Sequence, residues 1–292
     1  MSLKIGMIGL DTSHVEIFTK LLYENPSLYD QARIVIGSPS PSPDLDLSAN
    51  RVNGYTHLLK NEYDVTITTS EEEVVSESDS IMITSVDGRK HLDLFKRIAP
   101  FKKPVFIDKP LALSLKEAEE IYNLSEKYNT PVMSSSSLRF ADSLQKHFPK
   151  TKEVPNGVYI SGPLPFVDEM PYYYWYGIHM IEMLFKIMGT DYKDISIQKN
   201  ENFDVIITEW NDGRFGIVRG DHNWHDKFEA FLHYEDGTVH LPIYQDQKTY
   251  YACLLEQIIH FFETGISPVS KNETLTLVKF IEEANKLRMV GV

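Results

Sequence analysis

The first 135 residues alternate short, continuously apolar runs with amphipathic stretches, and few folds accept that order. Runs rich in Ile, Val and Met stand at 4–8, 33–36, 65–68, 80–86, 105–107 and 132–135. They lack the polar–apolar alternation of a half-exposed strand, so they are read as strands buried on both faces of a parallel sheet. Helices are expected between them, near 14–24, 52–62, 70–76, 89–99 and 115–128. Two of these open with capping boxes, Ser70 with Glu73 and Ser114 with Glu117, in which hydroxyl and carboxylate satisfy backbone donors. Repeated strand–helix–strand units predict a doubly wound α/β sheet of the Rossmann type.

Ser38-Pro39-Ser40-Pro41-Ser42-Pro43 interrupts the series after the second strand. Alternating proline continues neither a helix nor a central strand, so this is an exposed loop, either a solvated connector or the border of a nucleotide's adenosine end.

Beyond about residue 138 the pattern changes. A strand near 158–161 leads to an aromatic helix over 173–188, then to strands near 193–199, 203–209, 214–219, 227–234 and 238–244. Asp212-Gly213 and Asp236-Gly237 mark hairpin turns, because Gly accepts the positive φ a tight turn needs. Two helices close the chain, about 248–264 and 272–288. The chain is therefore divided into a Rossmann dinucleotide-binding domain, 1–137, and an α+β substrate-binding domain with a mostly antiparallel open sheet, 138–292. In its fourth hairpin strand Phe228, Ala230, Leu232 and Tyr234 fall on one side, and Glu229, Phe231 and His233 on the other. Apolar residues on both faces predict a homodimer or homotetramer formed through this sheet.

Charge excludes one class of partner. A net charge of −13 without a local basic patch repels phosphate backbones, so nucleic-acid binding is not expected. No apolar run approaches the length of a membrane span, and a basic-then-apolar leader is missing. The single cysteine, Cys253, fits a reducing compartment, and a cytoplasmic location is expected. His222, His225, Asp221 and Asp226 are residue types a divalent metal takes, yet they lie in one loop between strands with no separate ligand cluster; no metal site is assigned.

The turn after the first strand reads Gly9-Leu10-Asp11-Thr12-Ser13-His14. A dinucleotide fold places G-x-G-x-x-G here, so that the backbone meets the pyrophosphate and the helix lies close to the strand. Asp11 and His14 occupy the second and third glycine positions. A carboxylate at Asp11 repels pyrophosphate unless it turns away or caps the helix. Ser13 with Glu16 offers a capping box that would consume the phosphate's donors and leave a self-capped helix without nucleotide. The second strand ends in Ser38, with no acid for the adenosine ribose and no arginine after it for an added phosphate, so NAD and NADP both stay open.

In the run Lys103-Pro104-Val105-Phe106-Ile107-Asp108-Lys109-Pro110-Leu111-Ala112, the tripeptide Asp108-Lys109-Pro110 follows a buried strand and precedes a capped helix. It resembles the Glu-Lys-Pro motif of the Gfo/Idh/MocA family of NAD(P)-dependent sugar oxidoreductases, with Asp108 in place of Glu. The resemblance implies that Lys109 reaches the substrate hydroxyl and the nicotinamide. A lysine at the carboxyl end of such a strand also suits proton transfer unaided, because burial lowers its pKa. Thr84-Ser85-Val86-Asp87-Gly88-Arg89-Lys90-His91 is similar to the family's polar turn beside the nicotinamide ribose, although Asp87 equally suits capping the next helix. Ser134 through Phe140 resembles the crossing into the substrate domain, where Arg139 holds either substrate or a salt bridge.

On the aromatic helix the family places a histidine aimed at the substrate. His179 matches it, Trp175 stands where an aspartate is usual, and Glu182 lies on the same helical face to orient the imidazole. The expected site is thus Lys109 and His179 as catalytic residues, with Gly9 to His14, Ser38, Ser85, Val86, Asp87, His91, Asp108 and Lys109 toward NAD or NADP. Arg139, Tyr176 and His179 are expected toward a small polyol or sugar-like substrate. The function expected is hydride transfer between NAD(P) and a secondary hydroxyl of a sugar, cyclitol or sugar acid. A redox-neutral NAD-dependent glycosidase and a non-catalytic ligand sensor are the alternatives.

Overall fold

The structure is a computed structural model and describes residues 2–25, 27, 30–148 and 153–290. It divides into two compact units: residues 1–135 with 255–271, and residues 136–254 with 272–292. Residues 255–271, placed by sequence in the second domain, thus group with the first.

Unit 1 carries a six-stranded sheet in the order β3-β2-β1-β4-β5-β6, every pairing parallel. The strands are β1 (Leu3–Ile8), β2 (Ala32–Ser38), β3 (Thr66–Ile67), β4 (Ser80–Ile83), β5 (Val105–Ile107) and β6 (Val132–Met133). All of β4 and β5 and residues 5–8 of β1 are buried, so both faces of the sheet's centre are covered, as their unbroken apolar sequence requires. The helices are α1 (Ser13–Glu24), α2 (Asp46–Ala49), α3 (Val52–Glu62), α4 (Glu71–Ser76), α5 (His91–Ile98) and α6 (Leu115–Tyr128). Ser70 and Ser114 cap α4 and α6 through the N–H groups of Glu73 and Glu117, at 3.2 and 3.3 Å. Helix α1 departs from expectation. It begins at Ser13, so Thr12 is its cap residue, and the Thr12 side chain makes no cap hydrogen bond. The Ser13–Glu16 capping box is not formed.

Unit 2 holds a second six-stranded sheet, order β12-β11-β7-β10-β9-β8. These strands are β7 (Gly157–Pro163), β8 (Tyr192–Lys199), β9 (Phe203–Trp210), β10 (Phe215–Asp221), β11 (Glu229–His233) and β12 (Thr238–Leu241). Only β7 and β10 run parallel; the rest are antiparallel. Strand β12 stops at Leu241, short of the expected 244, because Pro242 has no N–H to continue the ladder. Helices α7 (Asp142–His147) and α8 (Gly177–Met188) precede and follow β7. Every residue of α8 except Lys186 is buried. The expected start of α8 at 173 is instead a 3-10 turn over Tyr172–Tyr174. Helices α9 (Tyr250–Thr264) and α10 (Lys271–Val290) close the chain.

Candidate functional site

The turn after β1 is shaped by one close approach. Gly9 has φ +89°, and a Cβ there would lie 2.4 Å from the Ser85 nitrogen, so only glycine fits against the β4 loop. The Gly9 and Leu10 N–H groups donate to the carbonyls of Ser38 (2.9 Å) and Pro39 (3.0 Å). Leu10 is buried, its side chain against Gly37. The next amides in the chain, those of Thr12 and Ser13, stand at the start of α1, where the Thr12 side chain makes no cap hydrogen bond.

Asp11 does not face a phosphate. Its buried carboxylate accepts the Val86 N–H at 2.8 Å and the Ser48 hydroxyl at 2.6 Å, tying the turn to the β4 loop and to α2. Burial pushes its carboxyl up, and these two hydrogen bonds pull against that rise. His14 is buried as well, with Nδ1 2.5 Å from Asp108 Oδ2.

The β4 loop is braced from within. His91 is fully buried; its Nε2 lies 2.9 Å from the Ser85 carbonyl and its Nδ1 2.8 Å from that of Pro110. It joins the loops after β4 and β5, and both its ring nitrogens face backbone carbonyls. Asp87 caps the 3-10 turn Gly88–Lys90 and takes Arg89 in two bonds of 2.9 and 2.8 Å. Burial alone would raise the Asp87 carboxyl, yet the Arg89 bonds outweigh it and hold it below the ordinary range. The cap, one of the two roles expected of Asp87, is formed.

At the end of β2, Ser38 is buried with Oγ 3.1 Å from Ser40 Oγ, and Ser40 donates to Glu71 at 2.8 Å. Glu71 accepts Arg97 at 3.0 Å, and Lys90 donates to the Ser40 and Pro41 carbonyls. Glu71 of α4 and Lys90 of the turn before α5 thus reach the Ser-Pro loop, and Arg97 of α5 meets Glu71. No local sequence signal announced them.

Lys109 follows β5 and is 9% exposed. Burial lowers the pKa of its ammonium, partly opposed by the Asp108 charge. Burial would raise Asp108, but the charge and hydrogen bond of His14, with Lys109, hold it below the ordinary range.

In unit 2, His179 stands in the first turn of α8, buried, with Nδ1 2.7 Å from Ser136 Oγ. Its ring meets those of Tyr176 at 5.4 Å and Phe228 at 6.0 Å. Glu182, expected to orient it, accepts the Ser136 N–H (3.0 Å) and Arg139 (3.2 Å). Burial raises the Glu182 carboxyl even so, with Arg139 opposing. Arg139 is buried and also pairs with Glu273, the salt bridge that was one of its two expected roles. Tyr176 touches Trp224 edge to face at 5.1 Å, and that indole is 60% exposed. Sequence noted the Ser134–Ser137 run and the loop of Trp224, but not that they serve His179 and Tyr176.

These arrangements test whether unit 1 suits a dinucleotide. The Asp11 charge is drawn off by internal donors, and the Thr12 side chain does not cap α1. Ser85 Oγ is buried without a hydrogen-bond partner among the described residues. All three fit a pyrophosphate nucleotide that Thr12, Ser13 and Ser85 would hold. An uncapped helix start at the carboxyl edge of a parallel sheet defines the dinucleotide-binding class of fold. Residues 3–136 match the model of Gfo/Idh/MocA, an oxidoreductase family with an NAD-binding Rossmann fold.

Among solved structures, the chain is similar to an oxidoreductase from Agrobacterium radiobacter in complex with NAD+, L-tartaric acid and magnesium. That match has TM-score 0.76 and 15% identity, over 100% of this chain and 98% of that one. It is similar to UDP-N-acetylglucosamine 3-dehydrogenase from Acidithiobacillus ferrooxidans, with TM-score 0.80 and 10% identity over 98% of each chain. A myo-inositol dehydrogenase from Corynebacterium glutamicum gives TM-score 0.75 and 14% identity, over 100% of this chain and 98% of that one. No functionally curated protein matches the sequence. Among the described residues no helix is long and apolar enough to cross a membrane, and no group of three or more His, Cys, Asp or Glu is arranged for a metal.

Proposed function

We propose that the chain is an NAD-dependent dehydrogenase that oxidises a secondary hydroxyl of a cyclitol, sugar or sugar acid, with Lys109 as its acid–base group. The observation that carries this reading is a lysine buried at the carboxyl end of β5 with its pKa lowered by that burial. When bound, the nicotinamide supplies the hydride acceptor. Lys109 takes the hydroxyl proton as the C–H bond is broken, and returns it in the reverse direction. His179, fixed by Ser136, is read as the hydroxyl's second contact. The exposed Trp224 ring and its neighbour Tyr176 suit the apolar face of a sugar or cyclitol. Similarity to enzymes acting on myo-inositol and on a sugar nucleotide supports the substrate class.

The reading extends to assembly. Phe231, Tyr159, Ile217 and Ile207 lie side by side across the open sheet face, half-buried, and Phe215 is 51% exposed. A second copy covering this face would remove that apolar surface from water, and light scattering checks it.

The deciding experiment adds NAD or NADP to the purified protein and follows thermal unfolding, then nicotinamide reduction with cyclitols, aldoses and sugar acids. Protection plus reduction supports the dehydrogenase. Protection with glycoside cleavage and no net reduction would point to a redox-neutral glycosidase. No protection by either nucleotide would sink the reading.

A further inference from the structure

Two departures from the dinucleotide pattern, far apart in sequence, meet in space. His14 stands at the position of the third fingerprint glycine, on the first turn of α1, and Asp108 ends β5 immediately before Lys109. The imidazole Nδ1 and the carboxylate Oδ2 are 2.5 Å apart, and both side chains are buried. The other carboxylate oxygen, Oδ1, accepts the Lys109 main-chain N–H at 2.8 Å. One turn further along α1, Phe18 sits 5.4 Å from the His14 ring and 6.5 Å from Phe106, two residues before Asp108. The helix face that a glycine would leave bare therefore grips the end of β5.

We propose that His14 is a positioning residue for Lys109, acting through Asp108. Two bonds in different directions fix the plane of the Asp108 carboxylate, one from the His14 imidazole and one from the Lys109 backbone. The carboxylate is thus set in one place relative to the lysine it precedes, and so is the negative charge that Lys109 experiences. His14 and Lys109 both act on Asp108, and the Asp108 charge acts in turn on Lys109. This inference rests on Lys109 being the acid–base group.

Lysines of the intact protein are methylated with isotope-labelled formaldehyde, the Lys109 resonance is assigned with K109R, and its titration midpoint is read by NMR. D108N should lower the midpoint, because the charge that favours the protonated amine is gone. His14→Gln, whose amide reaches the Nε2 rather than the Nδ1 position, should move it by at least about half a pH unit, or about threefold in protonation ratio. In a D108N background the same substitution should move nothing. H14N, whose side-chain N–H stands where Nδ1 does, should keep the wild-type midpoint. An unmoved midpoint in H14Q, or an equal shift with and without Asp108, would overturn the proposal, since a merely structural histidine changes only the melting temperature. NAD protection of the wild type, measured on the same preparations, fails independently if the dehydrogenase reading is wrong.

Discussion

The Asp11 carboxylate accepts the Val86 N–H across 2.8 Å, so the turn after β1 is fastened to the loop after β4 by the residue that breaks the glycine fingerprint. A buried carboxylate with two internal donors is part of the turn's architecture, and its charge is spent there.

Replacing it tests that role. In Asp11→Ala the Val86 N–H and the Ser48 hydroxyl both lose their buried acceptor. One stranded buried donor costs about 1–3 kcal/mol, and the hydroxyl can turn elsewhere, so a loss of about 2–4 kcal/mol is expected in urea unfolding. D11N keeps one acceptor and should lose less. A D11A protein within about half a kcal/mol of wild type would mean the turn holds without this brace.

Lys109→Met keeps the volume and removes the amine. A fall in kcat/KM of about 10²–10⁴ is expected, the range for a lost general acid–base group, with NAD protection retained. In the wild type, oxidation needs the unprotonated amine. The rate should therefore rise with pH and level off at a midpoint below the ordinary lysine value of 10.5, because burial lowers the Lys109 pKa. A K109M enzyme with wild-type turnover would remove Lys109 from the chemistry.

Asp108 links the site to acid stability. Its folded pKa lies below the ordinary 3.8, so it binds fewer protons folded than unfolded as that range is crossed. Its contribution is present above the unfolded pKa and is lost as pH falls through the folded value. Melting temperatures of wild type and D108N should accordingly converge between about pH 6 and about pH 3. A constant gap across that range would show that the His14–Asp108 contact carries no charge-linked stability.

Arg139 separates bracing from substrate binding. Its removal leaves the Glu182 carboxylate buried without its cation, a change worth about 3–5 kcal/mol in comparable pairs. Arg139→Ala should be strongly destabilised in urea, and R139M/E182L should recover most of the loss, since the pair is then replaced by apolar volume. Wild-type stability in R139A, together with a raised KM, would return Arg139 to the substrate.

Most of the fold was legible because strand and helix periods are local properties. The strands 4–8, 80–86 and 105–107 announced themselves by unbroken apolar sequence, and the capping boxes at Ser70 and Ser114 formed as spaced. The Ser13–Glu16 box did not, since Thr12 takes the cap position while His14, two residues on, turns to Asp108. In the site, residue types were legible and partners were not. Glu182 lies three residues from His179 on one helix face, yet it serves Arg139 and Ser136, while Ser136 itself holds the imidazole.

Sequence alone determined the alternation of strand and helix, the lysine after β5 and the histidine on the aromatic helix, because each follows from short-range pattern and motif. The tertiary structure alone decided what the departures from pattern mean. Asp11 and Val86 are 75 residues apart, and His14 and Asp108 are 94 apart. Whether a carboxylate repels a phosphate or braces a loop depends on donors that only the folded sheet brings within 3 Å, and no local period encodes them.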